Sequence, residues 1–168
     1  MMLSSQDQEI VDLYGLLLDW RRPLPFQAVY EEQEDGGVYR CRVNVHPADG
    51  RWEVLKDGDE QVIRHDPSKE GPVSNGMSIP SQIFPNKSHR ATDLAFPLTL
   101  PIWGRESDSF RAIGIEKSDG EAILLLRHQR SPEMFGSLKV DLKRRVSTQL
   151  TLPYGIRRYS NFSFAHPL

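Results

Sequence analysis

Tyr39-Arg40-Cys41-Arg42-Val43-Asn44-Val45-His46 is the stretch that decides the fold class. Tyr39, Cys41, Val43 and Val45 alternate with Arg40, Arg42, Asn44 and His46. A strand with this period-two pattern lays one face on a core and turns the other to water, the habit of antiparallel sheets. Upstream, Phe26, Ala28 and Tyr30 alternate with Gln27 and Glu31, and Glu34-Asp35-Gly36-Gly37 supplies the reversal between the two strands. Downstream, Pro47-Ala48-Asp49-Gly50 turns the chain into a short strand over Arg51 to Leu55, with Trp52 and Val54 on one side. Lys56-Asp57-Gly58-Asp59 turns again into a weaker strand over Gln61 to Arg64.

The pattern returns after residue 107. Phe110 to Ile115 and Ala122 to Leu126 flank the hairpin turn Glu116-Lys117-Ser118-Asp119-Gly120. Ile123-Leu124-Leu125-Leu126 is apolar without a break, which predicts a strand covered on both faces. Leu138, Val140 and Leu142 then alternate with charged residues, as do Val146, Thr148, Leu150 and Leu152 with polar ones. After Pro153-Tyr154-Gly155 a last strand runs over Ile156 to Phe164, and its alternation stumbles between Arg158 and Phe162, as at a β-bulge.

A helix precedes all of this. Ser5 and Gln8 have capping-box spacing, and Asp7 and Glu9 place negative charge in the first turn. Ile10, Leu13, Tyr14 and Leu17 form one helical face, which Val11 and Leu18 widen and Trp20 ends; Pro23 stops the helix after Arg21 and Arg22. Between the two strand runs, Asp66 to Gly76 reads as an exposed loop. Met77 to Trp103 carries Pro80, Pro85, Pro97 and Pro101 but also Ile79, Ile83, Phe84, Leu94, Phe96, Leu98, Leu100 and Ile102. The prolines argue against central strands. So apolar a segment is expected to pack over something as turns and extended pieces.

The whole is expected to be mainly β (α+β): an N-terminal helix followed by a curved antiparallel meander sheet or half-barrel of about 8–9 strands. Residues 1–168 are expected to form a single domain. Eight antiparallel strands span about 38 Å, whereas a helix is only about 10 Å across. One helix therefore covers only part of the apolar face. Either the sheet curls around the helix, or the Met77–Trp103 segment plugs the remainder, or a ligand or partner covers it.

The order of these elements resembles the lipoprotein-carrier family of LolA and LolB, whose fold the lipoproteins LppX and LprG share. The resemblance lies in the Leu-rich helix, the Phe26-x-Ala28-x-Tyr30 strand, the Pro-containing apolar insertion and the final hairpins. Asp141, in Leu138-Lys139-Val140-Asp141, resembles the family's strand-end Asp before a turn. The resemblance spans roughly residues 6–164. It implies an incomplete barrel that wraps a helical plug and holds acyl chains in its concavity, in an exported protein.

The 168 residues carry 21 Lys and Arg against 23 Asp and Glu, a formal charge of −2, and this balance argues against a general nucleic-acid binder. With one cysteine, Cys41, there is no internal disulfide and no Cys-based zinc site. No apolar run approaches the roughly 20 residues of a membrane-spanning helix. The polar start lacks the positive region of a signal peptide. A complete chain is therefore expected in the cytoplasm, and one from which a leader was removed, outside it.

Trp20, Phe26, Tyr30, Phe96 and Trp103 are candidates to line an apolar pocket, and Arg105 to clamp a carboxylate or phosphate headgroup at its mouth. The ordinary alternatives are core aromatics and a loop arginine paired with Glu106 or Asp108. None of His46, His65, His89, His128 and His166 stands in metal-ligand spacing, and Cys41, on the apolar side of its strand, reads as a buried hydrophobe. No nucleophile elbow, P-loop, dinucleotide fingerprint or paired-carboxylate motif occurs. The expectation is a non-enzymatic protein that holds a lipid or other apolar ligand in the concave face and needs no cofactor. The alternative is a protein–protein interaction module with a filled core.

Overall fold

In the computed structural model, residues 4–19, 23–58, 62–68, 73–74, 77–78 and 89–164 are described. The chain opens with helix α1 (Ser5–Leu18) and continues through β1 (Phe26–Glu34), β2 (Gly37–His46), β3 (Arg51–Lys56) and β4 (Val62–His65). A small ribbon pairs β5 (Val73–Ser74), within the stretch expected to be loop, with β6 (Met77–Ser78), at the start of the segment expected to hold turns and extended pieces. Two single-turn 3₁₀ helices, Arg90–Thr92 and Pro97–Thr99, lead to β7 (Phe110–Ser118), β8 (Glu121–His128), β9 (Phe135–Asp141), β10 (Val146–Leu152) and β11 (Gly155–Phe164).

Nine strands form one antiparallel sheet in the order β4-β3-β2-β1-β11-β10-β9-β8-β7. Two meanders thus meet at the centre, where the first strand pairs with the last. Tyr30 faces Tyr159, Glu31 faces Arg158 and Glu32 faces Arg157 across that seam. The stumble expected in β11 is a register shift opposite Gln27–Val29, with Asn161 at a φ of 53°. Close approach of neighbouring backbone requires glycine at two places. A Cβ on Gly155 would lie 2.7 Å from the Gln33 carbonyl oxygen, and one on Gly136 would lie 2.7 Å from that of Thr151.

The inner face carries the core. Phe26, Ala28 and Tyr30 of β1, Cys41, Val43 and Val45 of β2, Leu124 and Leu126 of β8 and Leu138 and Val140 of β9 are all buried in one cluster. The helix contributes less than its pattern promises. It packs on the edge strand β7 and on the Pro97–Thr99 turn, so it buries Leu13 and Leu17, while Val11 and Leu18, expected on the packed face, are 50% and 47% exposed. Its cap also falls one residue earlier than expected. Ser4 accepts from Asp7 N, and the Asp7 carboxylate accepts from Ser4 N in return.

What the helix leaves uncovered, the segment after residue 88 fills. Ala91, Leu94, Phe96, Leu100 and Ile102 are each at most 2% exposed. Of the three ways to close the sheet, the described residues use the self-made plug. The segment is tied to the seam by Tyr159, whose hydroxyl donates to the Ala91 carbonyl at 2.6 Å in a buried bond. The strand predicted to be covered on both faces is covered on one. Leu124 and Leu126 are fully buried, whereas Ile123 and Leu125 remain half-buried on the outer face, because no second layer packs there among the described residues.

The Tyr159 bond yields a test. Tyr159→Phe leaves a buried carbonyl without its donor, so unfolding in urea should show a loss of about 1–3 kcal/mol with little change in m-value. An unchanged midpoint would mean the plug does not depend on the bond.

Candidate functional site

Five of the six residues singled out from sequence lie among the described residues. Trp20 lies outside them. Phe26 and Tyr30 are 2% and 0% exposed, on the inner face of β1. Both pack edge-on against the Tyr159 ring, with centroids 5.7 Å and 6.0 Å away. Phe96 is buried within the plug. Trp103 sits beside the helix, edge-on to Tyr14 at 4.7 Å, with its indole N–H donating to the Pro97 carbonyl at 2.9 Å.

Arg105 belongs to a loop that is folded onto itself. Its guanidinium pairs with Asp108 at 2.9 Å and donates to the Leu100 carbonyl at 3.0 Å. The Asp108 carboxylate also accepts from the backbone N–H groups of Trp103 and Arg105, and Gln129 clamps the loop from β8's end by donating to the carbonyls of Arg105 and Asp108. Burial alone would raise the Asp108 pKa, but the hydrogen bonds and charge of Arg105, with the Trp103 N–H, hold it below the ordinary carboxylate value. Arg105 is thus occupied in holding the plug's exit.

A cluster that the sequence reading missed lies at the seam. Glu32 is 3% exposed. Its carboxylate meets Arg157 at 2.9 Å and Arg90 at 3.2 Å, and Asp93 stands 3.7 Å from Arg157. Arg90 lies over the Tyr39 ring, 4.1 Å from its centroid. Burial works against the Arg157 charge, yet Tyr30, Glu32, Asp93 and Glu34 outweigh it and raise the pKa. Burial, and then Glu32, push the Tyr30 hydroxyl upward, so it stays protonated. The signal was available: Glu32 follows Phe26, Ala28 and Tyr30 on the same period-two parity, which places its carboxylate on the buried face. This arrangement can anchor the plug electrostatically. An open depression of about 250 Å³ lies beside it, lined by Glu32, Glu34, Val38, Tyr39 and Arg90, and burial pushes the Cys41 thiol up to about 11, which keeps it un-ionised.

The described clefts are open depressions rather than enclosed cavities. One of about 350 Å³ runs past His46, Arg51, Trp52, Arg64 and His65 at the β3–β4 end. Another of about 290 Å³ crosses the outer face between Val29, Arg42, Leu55 and Val62. Among the described residues no group of three or more His, Cys, Asp or Glu side chains could hold a metal ion, and no helix is long and apolar enough to cross a membrane.

Two titrations should report on the plug. Asp108 has a depressed folded pKa, so its contribution is complete above the unfolded value near 4 and is lost as pH falls through the folded value. Asp108→Asn should cost about 2 kcal/mol near neutral pH, and that difference should narrow in acid denaturant titrations. His89 caps the Arg90–Thr92 turn by accepting from Ala91 N at 3.1 Å through Nδ1, which a proton would block. Burial, then Arg90, lower its pKa, so this stability is full above about 6.5 and falls as pH drops toward the depressed value. His89→Asn, which keeps an acceptor, should flatten the stability profile below about pH 6.5; identical slopes would remove His89 as the source.

No known family pattern matches the chain, and no curated protein matches it. Solved structures do. The crystal structure of MucB aligns with 96% of this chain at a TM-score of 0.51 and 16% identity, over 61% of its own length. The complex structure of Pseudomonas aeruginosa MucA/MucB aligns with 95% of this chain at a TM-score of 0.50 and 15% identity, over 59% of that chain. A LolA-superfamily protein from Nitrosomonas europaea covers 98% of this chain, but at a TM-score of 0.27 and 13% identity the likeness carries nothing further. The chain spans 59–61% of the length of these two MucB chains, and at such identities what it shares with them is the fold: a leading helix and an open, curved antiparallel sheet.

Proposed function

We propose that this protein is a non-catalytic binding module whose partner is another polypeptide. The observation that carries the reading is the occupied inner face. The chain's own segment from Ala91 to Ile102 takes the place where an apolar ligand would lie, with Leu94, Phe96, Leu100 and Ile102 at most 2% exposed. Binding then falls to the surfaces that stay open: the outer face of the sheet and its loops. The likeness to MucB, whose structure is solved in complex with MucA, supports a polypeptide as the partner.

The apolar-ligand reading demands more of the molecule. A lipid on Phe26 or Tyr30 would have to displace the plug. It would break the Tyr159–Ala91 bond and separate Arg90 from the buried Glu32. Leaving Glu32 short of a counter-charge is costly for a carboxylate so deeply buried.

Native mass spectrometry of the protein isolated gently from its own source tests the two readings together. The expected spectrum shows a stoichiometric complex with a second polypeptide. Adducts that organic solvent extracts as lipid, with no second polypeptide, would overturn the reading.

A further inference from the structure

One pair of facing like charges in the sheet has no counter-charge among the described residues. β7 and β8 are registered so that Arg111 stands directly opposite Arg127. On the next strand Phe135 faces Arg127, and the guanidinium lies over its ring, 5.4 Å from the centroid. These three residues form a row across the outer face, since their neighbours Phe110, Leu126 and Leu138 point into the core. Elsewhere charges facing across strands are neutralised: Glu31 pairs with Arg158 and Glu32 with Arg157, and where Glu121 stands opposite Asp141 the two carboxylates are met by Lys139 and Arg144. Here like charges face each other, which destabilises a sheet.

Neither arginine makes an ion pair among the described residues. The Nε–H of Arg127 is buried and donates to nothing. Phe135, beside it, is 53% exposed, an unusual place for a phenyl ring on a solvated strand. The row therefore combines two partly desolvated or facing cations with an exposed aromatic. An acidic segment relieves both defects at once: carboxylates neutralise the facing guanidinia, by bidentate bonds where geometry allows, and an apolar side chain covers the ring.

We infer that the Arg111–Arg127–Phe135 row is the docking surface for an acidic segment of a partner polypeptide, one that carries carboxylates next to an apolar side chain. The inference rests on the polypeptide-binding reading and adds the place and the chemistry. The charges argue for the acid, and the exposed ring argues for a peptide over a simple anion.

The test uses the full chain. Arg111→Glu converts the facing like charges into an attractive pair at an exposed position. In the free protein it should raise Tm at low salt, and the gain should shrink as the Debye length falls from about 10 Å at 0.1 M to about 3 Å at 1 M. Calorimetric titration with a short synthetic peptide alternating Glu and Leu should show binding to wild type. Arg111→Glu should weaken it at least tenfold, Phe135→Ser should weaken it as well, and the Lys-for-Glu peptide should not bind. The inference is overturned if Arg111→Glu lowers or leaves Tm unchanged at low salt. It is equally overturned if the acidic peptide fails to bind, binds the variants as well as wild type, or is outdone by phosphatidylglycerol vesicles. A native partner that binds wild type and Arg111→Glu alike would refute this surface and leave the polypeptide reading intact; absence of any polypeptide partner in the native complex would refute that reading itself.

Discussion

The antiparallel pairing of β1 with β11 holds this molecule together. It joins residues far apart in sequence, from Glu34 opposite Gly155 to Phe26 opposite Phe164, and turns two local meanders into one sheet. Everything on the inner face is referred to it. Tyr159 of β11 holds the plug by the Ala91 carbonyl. Glu32 of β1 holds it through Arg90 while being neutralised by Arg157 of β11. A buried carboxylate with two arginines is costly to assemble and costlier to break, so the seam and the plug order together. Long-range pairing of this kind is also the slow step expected in folding a β-rich chain, because the loop entropy is spent before the contact forms.

The plug solves a covering problem that the helix cannot. A wide sheet with one apolar face needs a second layer, and α1 sits at the β7 edge with only Leu13 and Leu17 buried. The segment after residue 88 supplies the layer without regular structure. It therefore needs other means to satisfy its backbone: His89 caps one turn, and Asp108 collects the N–H groups of Trp103 and Arg105. Irregular backbone is tolerated in a packed interior only where such side chains stand in for a ladder. Arg105, the polar residue that looks most like a ligand contact in sequence, is occupied in this way by Asp108.

On the proposed reading of a polypeptide partner, the outer face is the surface left for binding. Most of it is ordinary: alternating polar residues, cross-strand ion pairs and shallow clefts. The Arg111–Arg127 facing pair departs from that pattern. A departure from local consistency at an exposed position is where binding sites tend to be found, because such residues are retained against stability.

By itself the sequence determined the strand periods, the turns, the leading helix and the bulge in β11, since each of these depends on residues within a few positions of one another. It also determined that Glu32 shares the buried parity of Phe26 and Tyr30, and that Cys41 lies inside. Tertiary structure alone decided the partner of each strand beyond its hairpin, because alternation says which face a residue takes and nothing about which distant strand lies beside it. That is why the seam, and with it the Glu32–Arg157 pair, was out of reach. The filling of the inner face was likewise out of reach, because proline-rich apolar chain has no period from which its path can be read. The Arg111–Arg127 encounter depends on the register on either side of the shift between Ala112 and Gly114. One residue of slip there would turn both charges elsewhere, and only the assembled sheet sets that register.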